Sequence, residues 1–298
     1  MAANNQTQLK LYTVDAFSSI PFSGNPAAVC LLPLDRVISD KTLQDIAAEM
    51  NLSETAYIRL LSDSESFQTS SRFGLRWFTP VAEIKLCGHA TLASAHVLFN
   101  ILGNTSSSIA FETLSGDLIV KRKGNSISMD FPVGKIEKKS EENYAPLIKA
   151  LGNTPEIVDV QYCCDLRYLL IRFKEGWTRK EFEQWKLDMI MLERSIKELV
   201  VLIVTIRGKE EDGFVDEKGN PYDFVSRCFA PWTGVPEDPV TGSAQTILAN
   251  YWSLILGKKQ FKTRQCSKRG GDIHLELDGS RVHIVGQATC VMEATLLL

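Results

Sequence analysis

Residues 237–246 read EDPVTGSAQT. A carboxylate pair and a proline come first, and Thr-Gly-Ser-Ala then leads into the apolar run ILANYWSLIL. A phosphate loop needs Gly-x4-Gly-Lys-[Ser/Thr], and this stretch has neither that spacing nor a lysine. A hydrolase elbow needs Gly-x-Ser-x-Gly, and the chain offers Thr-Gly-Ser-Ala-Gln. What remains is a helix start, with Asp238, Thr241 and Ser243 able to accept N–H bonds as caps.

That helix start has a second copy. Residues 76–80 read RWFTP and 227–231 read RCFAP. GHATLASAHVLFNILG (88–103) follows the first and GSAQTILANYWSLILG (242–257) the second. Both run sixteen residues, begin Gly-x-Ala and end Ile-Leu-Gly. Further on, aligning Gly116-Asp117 with Gly271-Asp272 sets Gly124 opposite Gly279 at the same spacing of eight. Each half thus reads as an Arg-x-Phe-x-Pro strand, a glycine-started helix and a hairpin. The expected division is 1–131 plus about 286–298 for the first domain and 132–285 for the second. Proline, glycine and charge collect near the break, in FPVGKIEKKSEEN (131–143).

Apolar spacing of three and four extends both helices over their sixteen residues. LQDIAAEMNL (43–52) reads as another amphipathic helix, and RKEFEQWKLDMIMLERSIKEL as helical without being one continuous helix. LKLYTVDAF, AVCLL, IAFETL, LIVKRK and SISMDF have strand character. LVVLIVTI (199–206) is too short for a membrane span, which needs about 20 residues, and reads as a buried strand. The fold class is therefore α/β (α+β), in two similar halves.

Composition narrows the function classes. A net charge of −3 gives no global field for nucleic acid. The start MAANNQTQ lacks the blocks of a signal peptide. Seven cysteines without a C-x-x-C, and four histidines far apart in sequence, offer no metal-ligand cluster; a reduced, cytoplasmic setting fits. No Gly-x-Gly-x-x-Gly calls for a dinucleotide, so no cofactor is expected.

A glycine at a helix start lets a ligand approach unpaired N–H groups at the positive end of the dipole. Two such starts related by duplication are expected to hold one small anion across an interdomain cleft, and a carboxylate suits them.

SIPFSGNPAAV, LSETAYI, LCGHATLASAHVL, PWTGVPEDPVTGSAQTIL and RGGDIHLEL…VHIVGQA, in that order over nearly the whole chain, resemble the phenazine-biosynthesis isomerase (PhzF-like) family. The resemblance implies the diaminopimelate-epimerase fold, each half a barrel-like sheet around a central helix, and a homodimer. It implies Glu54 as general acid/base, its pKa open to elevation by partial burial. His89 binds substrate or shares the proton transfer. Asp238 contacts substrate, and Gly88, Thr241, Gly242 and Ser243 form the anion-binding turns. Asn25-Pro26 is a structural turn, and His96, His274 and His283 are structural. Cys87 stands where epimerases of this fold carry the first of two thiols, but its partner position is Thr241, which argues against two-thiol racemisation. The expected activity is a cofactor-independent, metal-free proton shift on a small carboxylate. An epimerase or dehydratase using Cys87, and a catalytically idle binding protein, are the alternatives.

Overall fold

The computed structural model describes residues 7–298, so the first six residues of the polar start quoted above lie outside the described residues. The chain divides into two compact units. One runs to Asp130 and takes back Val285–Leu298; the other is Phe131–Ile284.

In the first unit β1 (Gln8–Ala16) pairs antiparallel with β2 (Asn25–Leu31) and with the chain's last strand, β18 (Ala288–Leu297). A crossover through α1 (Asp40–Met50) makes β3 (Glu54–Arg59) parallel to β2. β4 (Arg72–Phe78) is antiparallel to β3 and carries the short β5 (Glu83–Ile84). After α2 (Gly88–His96) comes β6 (Ser108–Thr113), parallel to β4, and then the hairpin strands β7 (Gly116–Lys123) and β8 (Ser126–Pro132).

The second unit repeats that order. After β9 (Glu137–Lys138) and α3 (Ala145–Leu151), β10 (Ile157–Cys163) and β11 (Tyr168–Phe173) are antiparallel. α4 (Arg179–Gln184) and α5 (Met189–Ser195) then cross to β12 (Val201–Arg207), parallel to β11. β13 (Phe224–Ala230) is antiparallel to β12 and carries β14 (Val235–Asp238). α6 (Gly242–Leu256) precedes β15 (Gln260–Gln265), parallel to β13, and the antiparallel β16 (Gly271–Asp278); β17 (Arg281–Gly286) closes the set. Six successive pairings therefore agree in sense between the units, as a duplicated chain requires.

The repeat extends to side chains. Arg76 of β4 forms a two-pronged ion pair with Glu83, at 2.7 and 2.8 Å, and lies over Phe78. Arg227 of β13 does the same with Glu237, at 2.7 and 3.0 Å, and lies over Phe229. The recurring Arg-x-Phe thus serves one purpose in both units: it ties the strand to the short return strand that leads toward the glycine helix.

Each glycine helix sits inside its unit's curved sheet. His89 through Ala95 of α2 are all buried, and the helix packs on β1, β2 and β3. Its alanines keep the cylinder narrow, and Gly286 meets it closely: a Cβ there would stand 2.6 Å from the Phe17 ring and 3.0 Å from Leu92. α6 fills a wider space with larger groups; Trp252 stacks on Phe224 of β13 at 5.2 Å, and its indole N–H donates to Thr205 Oγ1 of β12.

Several local readings shift. α1 starts earlier than the apolar spacing indicates, because Ser39 caps it by accepting from the Thr42 amide, and it stops where Asn51 turns left-handed. The first glycine helix is α-helical only to His96; Val97–Ile101 form a π-helical turn, with Leu102 N–H bonded back to Val97 O. The charged stretch after Trp177 breaks into α4 and α5. Trp185 leaves the helix to wedge its ring against Phe173, Trp177 and Phe229. Asn25-Pro26 is not a turn: Asn25 opens β2 and is buried. Among the described residues, no helix is long and apolar enough to cross a membrane, and all seven cysteines are unpaired.

Candidate active site

Glu54 is the first residue of β3, and Cys87 and Gly88 open α2, so one end of the first unit's sheet and the start of its buried helix share a corner. His89 lies between them. Its Nε2 is 3.0 Å from Glu54 Oε2 and 3.2 Å from Ser53 Oγ; its Nδ1 is 3.2 Å from Asn25 Nδ2 and 3.5 Å from Cys87 Sγ. The Glu54 contact is a close ion pair rather than an aligned hydrogen bond, and Oε2 is buried with no aligned donor.

Burial by itself raises a carboxyl pKa, as expected for Glu54. Here His89, with hydrogen bonds from Ser53 and Cys87, outweighs it, and the Glu54 pKa is lowered. Burial likewise works against an imidazolium, yet the Cys87 and Glu54 groups beside it carry His89 well above the usual histidine range. The Cys87 thiol is pushed up by burial and by Glu54, partly offset by His89. The three shifts therefore favour the carboxylate form of Glu54, the protonated form of His89 and the thiol form of Cys87.

These three donors lie within 4.8 Å of one another. The sequence spacing gives no hint of such a cluster, and it corrects the reading that no metal-ligand set exists. The imidazole, however, turns Nε2 to Glu54 and Nδ1 to Cys87, rather than one nitrogen toward a shared centre. That arrangement suits passing protons along a line better than cradling a cation.

In the second unit Asp238, Thr241, Gly242 and Ser243 gather at the start of α6. Thr241 Oγ1 donates to Asp238 Oδ2 at 2.6 Å. Gln265 of β15, fully buried, holds the turn from behind: its Oε1 accepts the Thr241 amide at 2.9 Å and its Nε2 donates to Asp238 O at 2.7 Å. Ser243 Oγ lies 2.9 Å from the Tyr168 hydroxyl. Thr241 does not cap the helix with its side chain, contrary to the cap reading. Neither does Cys87 on α2, whereas Ser39, Thr178 and Asp188 cap α1, α4 and α5. The two glycine helices thus begin without the side-chain acceptors that close those other starts.

Sequence reasoning missed Asn25, Ser53, Tyr168 and Gln265. Ser53 could have been found as the neighbour of Glu54. The others reach their partners only through strand pairing, over 64, 75 and 24 residues respectively.

The doubled unit with a glycine helix at its centre is the architecture of the diaminopimelate-epimerase class, and solved structures share it. A predicted epimerase from Pseudomonas aeruginosa aligns over 97% of this chain and 99% of its own at a TM-score of 0.65, with 19% identity, a likeness of fold alone. Residues 14–294 match the PhzC-PhzF family of phenazine biosynthesis-like proteins. The chain belongs to that family. It is 48% identical over 293 residues to the mouse phenazine biosynthesis-like domain-containing protein 1, covering 97% of this chain and 99% of that one. An uncharacterized isomerase of Halalkalibacterium halodurans is 40% identical over 97% of this chain and 98% of its own. A crystal structure of a putative phenazine biosynthesis PhzC/PhzF protein from Clostridium difficile superposes with a TM-score of 0.80 at 37% identity, over 97% of this chain and all of that one.

Proposed function

We propose that this protein is a cofactor-independent isomerase that moves a proton on a small carboxylate-bearing molecule, with Glu54 as general base and acid. The observation that carries this reading is the buried Glu54 Oε2, which has no aligned donor while His89 stands 3.0 Å away. A base must be ionised before turnover, and the lowered pKa keeps it so. The carboxylate takes the proton from carbon, and the adjacent His89 stabilises the charges that develop. The uncapped start of α2, beside Glu54 and His89, offers N–H groups to a carboxylate. A carboxylate beside the reacting carbon makes that proton acidic enough for a side-chain base.

Proton NMR in deuterated water tests this. A panel of small carboxylates, including dihydro-hydroxyanthranilate, is incubated with wild type and with Glu54→Gln. Deuterium entry or double-bond migration with wild type alone is expected; equal exchange by both proteins removes Glu54 from the role.

One contact favours a second reading, in which Cys87 supplies a proton in an epimerase or dehydratase: its Sγ is 3.5 Å from His89 Nδ1. A thiol with a raised pKa is protonated at neutral pH and so can give a proton more readily than take one. This reading predicts loss of activity in Cys87→Ser, where the first predicts little.

A further inference from the structure

The first unit has a cavity of about 520 Å³ at the far end of the strand that carries Glu54. Glu54 opens β3 and Arg59 closes it, so about 16 Å of strand separates the two places. The walls are the loop joining β2 to α1, the segment that follows β3 and the turn after β6. Gly74 of β4 lies between them.

That glycine leaves the floor open. The strand registers set Arg59 opposite Gly74 and Gly74 opposite Glu112, so Arg59 and Glu112 stand on opposite banks with backbones about 10 Å apart. Arg59 leans over the floor, since a Cβ on Gly74 would meet its Nε at 3.3 Å.

Most charges around the cavity are matched. Arg76 pairs with Asp40 as well as Glu83, and Glu112 lies 3.3 Å from Arg72. Arg36 donates to the neutral Thr7 Oγ1. Among the described residues the Arg59 guanidinium has no ion-pair or hydrogen-bond partner. Against Arg36 and Arg59 stands the exposed Asp63, which leaves positive charge in excess. The rim is apolar: Val37 is 95% exposed, Leu114 63% and Leu34 40%, and all three line the cavity. Exposed apolar groups gathered at a concave site mark a place that binds, and a free guanidinium among them sets the sign of the ligand.

We infer that this cavity binds an aliphatic carboxylate, with its head on Arg59 and its tail along the Leu34, Val37 and Leu114 rim. The site is separate from the Glu54–His89 corner and takes no part in the proton shift.

Octanoate is the probe, titrated into the ¹⁵N-labelled full chain and followed by amide shifts, with octylamine and acetate as controls. Shifts are expected at Val37, Ser62 and Leu114, with octylamine and acetate each binding there at least about tenfold more weakly. Arg59→Gln, a change at an exposed position, should weaken octanoate about tenfold through loss of the charge-assisted contact. Gly74→Val, which raises a β-favouring side chain from the floor, should do the same by filling the space. Absence of octanoate binding, equal binding of octylamine, or unchanged affinity in Arg59→Gln overturns the inference. So do shifts confined to Cys87, Gly88 and His89, which would place octanoate at the other corner. Phosphatidylglycerol vesicles offer an anion and an alkyl chain on a surface, and the protein should stay in solution when they are sedimented. Co-sedimentation that Arg59→Gln removes would assign the cavity to lipid headgroups and overturn the free carboxylate as its ligand.

Discussion

The two glycine helices are copies that have parted in chemistry. The strand registers set Thr55 opposite Phe78 and Leu202 opposite Phe229. With Phe78 and Phe229 equivalent in the repeat, Glu54 corresponds to Val201. Cys87 likewise corresponds to Thr241 and His89 to Ser243. One unit therefore carries a carboxylate, a thiol and an imidazole at its helix start; the other carries a valine and two hydroxyls. The backbone that presents helix N–H groups is common to both, while the Glu54, Cys87 and His89 side chains have no ionisable counterparts at the equivalent positions of the second. Duplication preserved the uncapped glycine helix start in both copies, and the carboxylate, thiol and imidazole stand in one.

The sharpest way to break the comparison is to remove one group from each side. Glu54→Gln should slow deuterium exchange by about 10³-fold. Thr241→Ala should slow it by no more than about tenfold, since one of several hydrogen-bond donors is lost. Equal losses would mean that the second unit shares the proton chemistry.

The paired Arg–Glu clamps differ in burial, and stability should follow. Arg227 is 6% exposed at its side chain and also donates to the carbonyls of Phe182 and Trp185. Urea unfolding of Arg227→Met should show a loss of about 3–5 kcal/mol, because Glu237 and two carbonyls are left unpaired. Arg76 is 34% exposed and divides its guanidinium between Glu83 and the solvent-exposed Asp40. Arg76→Met should cost about 1 kcal/mol.

The Glu54–His89 pair imposes a pH signature that the second unit lacks. Glu54 is lowered from its ordinary 4.5, so its contribution is complete above that pH and is lost as pH falls through the lowered value. His89 is raised above its ordinary 6.5, so its contribution is complete below that pH and fades as pH climbs through the raised value. The stability difference between wild type and the Glu54→Gln/His89→Gln double variant should therefore be level between pH 4.5 and 6.5 and change on either side. Chemical unfolding across pH measures it; a difference that rises steadily through pH 6.5–9 would contradict the ion pair.

The smallest effect expected is that of Cys87→Ser. Exchange should stay within about threefold of wild type, the oxygen still reaching His89 while Glu54 does the work. A collapse in rate would shift the chemistry to the thiol.

Much of this molecule could be read before folding was considered. Arg-x-Phe-x-Pro, the glycine-started helix and the Gly-Asp hairpin disclosed the duplication, because short-range patterns recur whole when a unit is copied. Glu54, His89 and the Thr241-Gly242-Ser243 turn were named from local motifs. The charged α4–α5 region has no local marker of its break, since Trp185 exits the helix for partners on β11 and β13. The π-helical turn after His96 has no marker of its own in the apolar spacing.

The sequence alone determined that there are two like halves, where each glycine helix begins, and that the second helix start lacks an ionisable side chain at the Cys87 and His89 positions. Only the tertiary structure decided the direction in which the pKa values of the first are displaced. Spacing says that Glu54 is near burial and predicts a raised pKa; the fold sets His89 3.0 Å away and reverses the direction. Electrostatic energy depends on distance through space, and strand pairing sets that distance between residues that are remote along the chain.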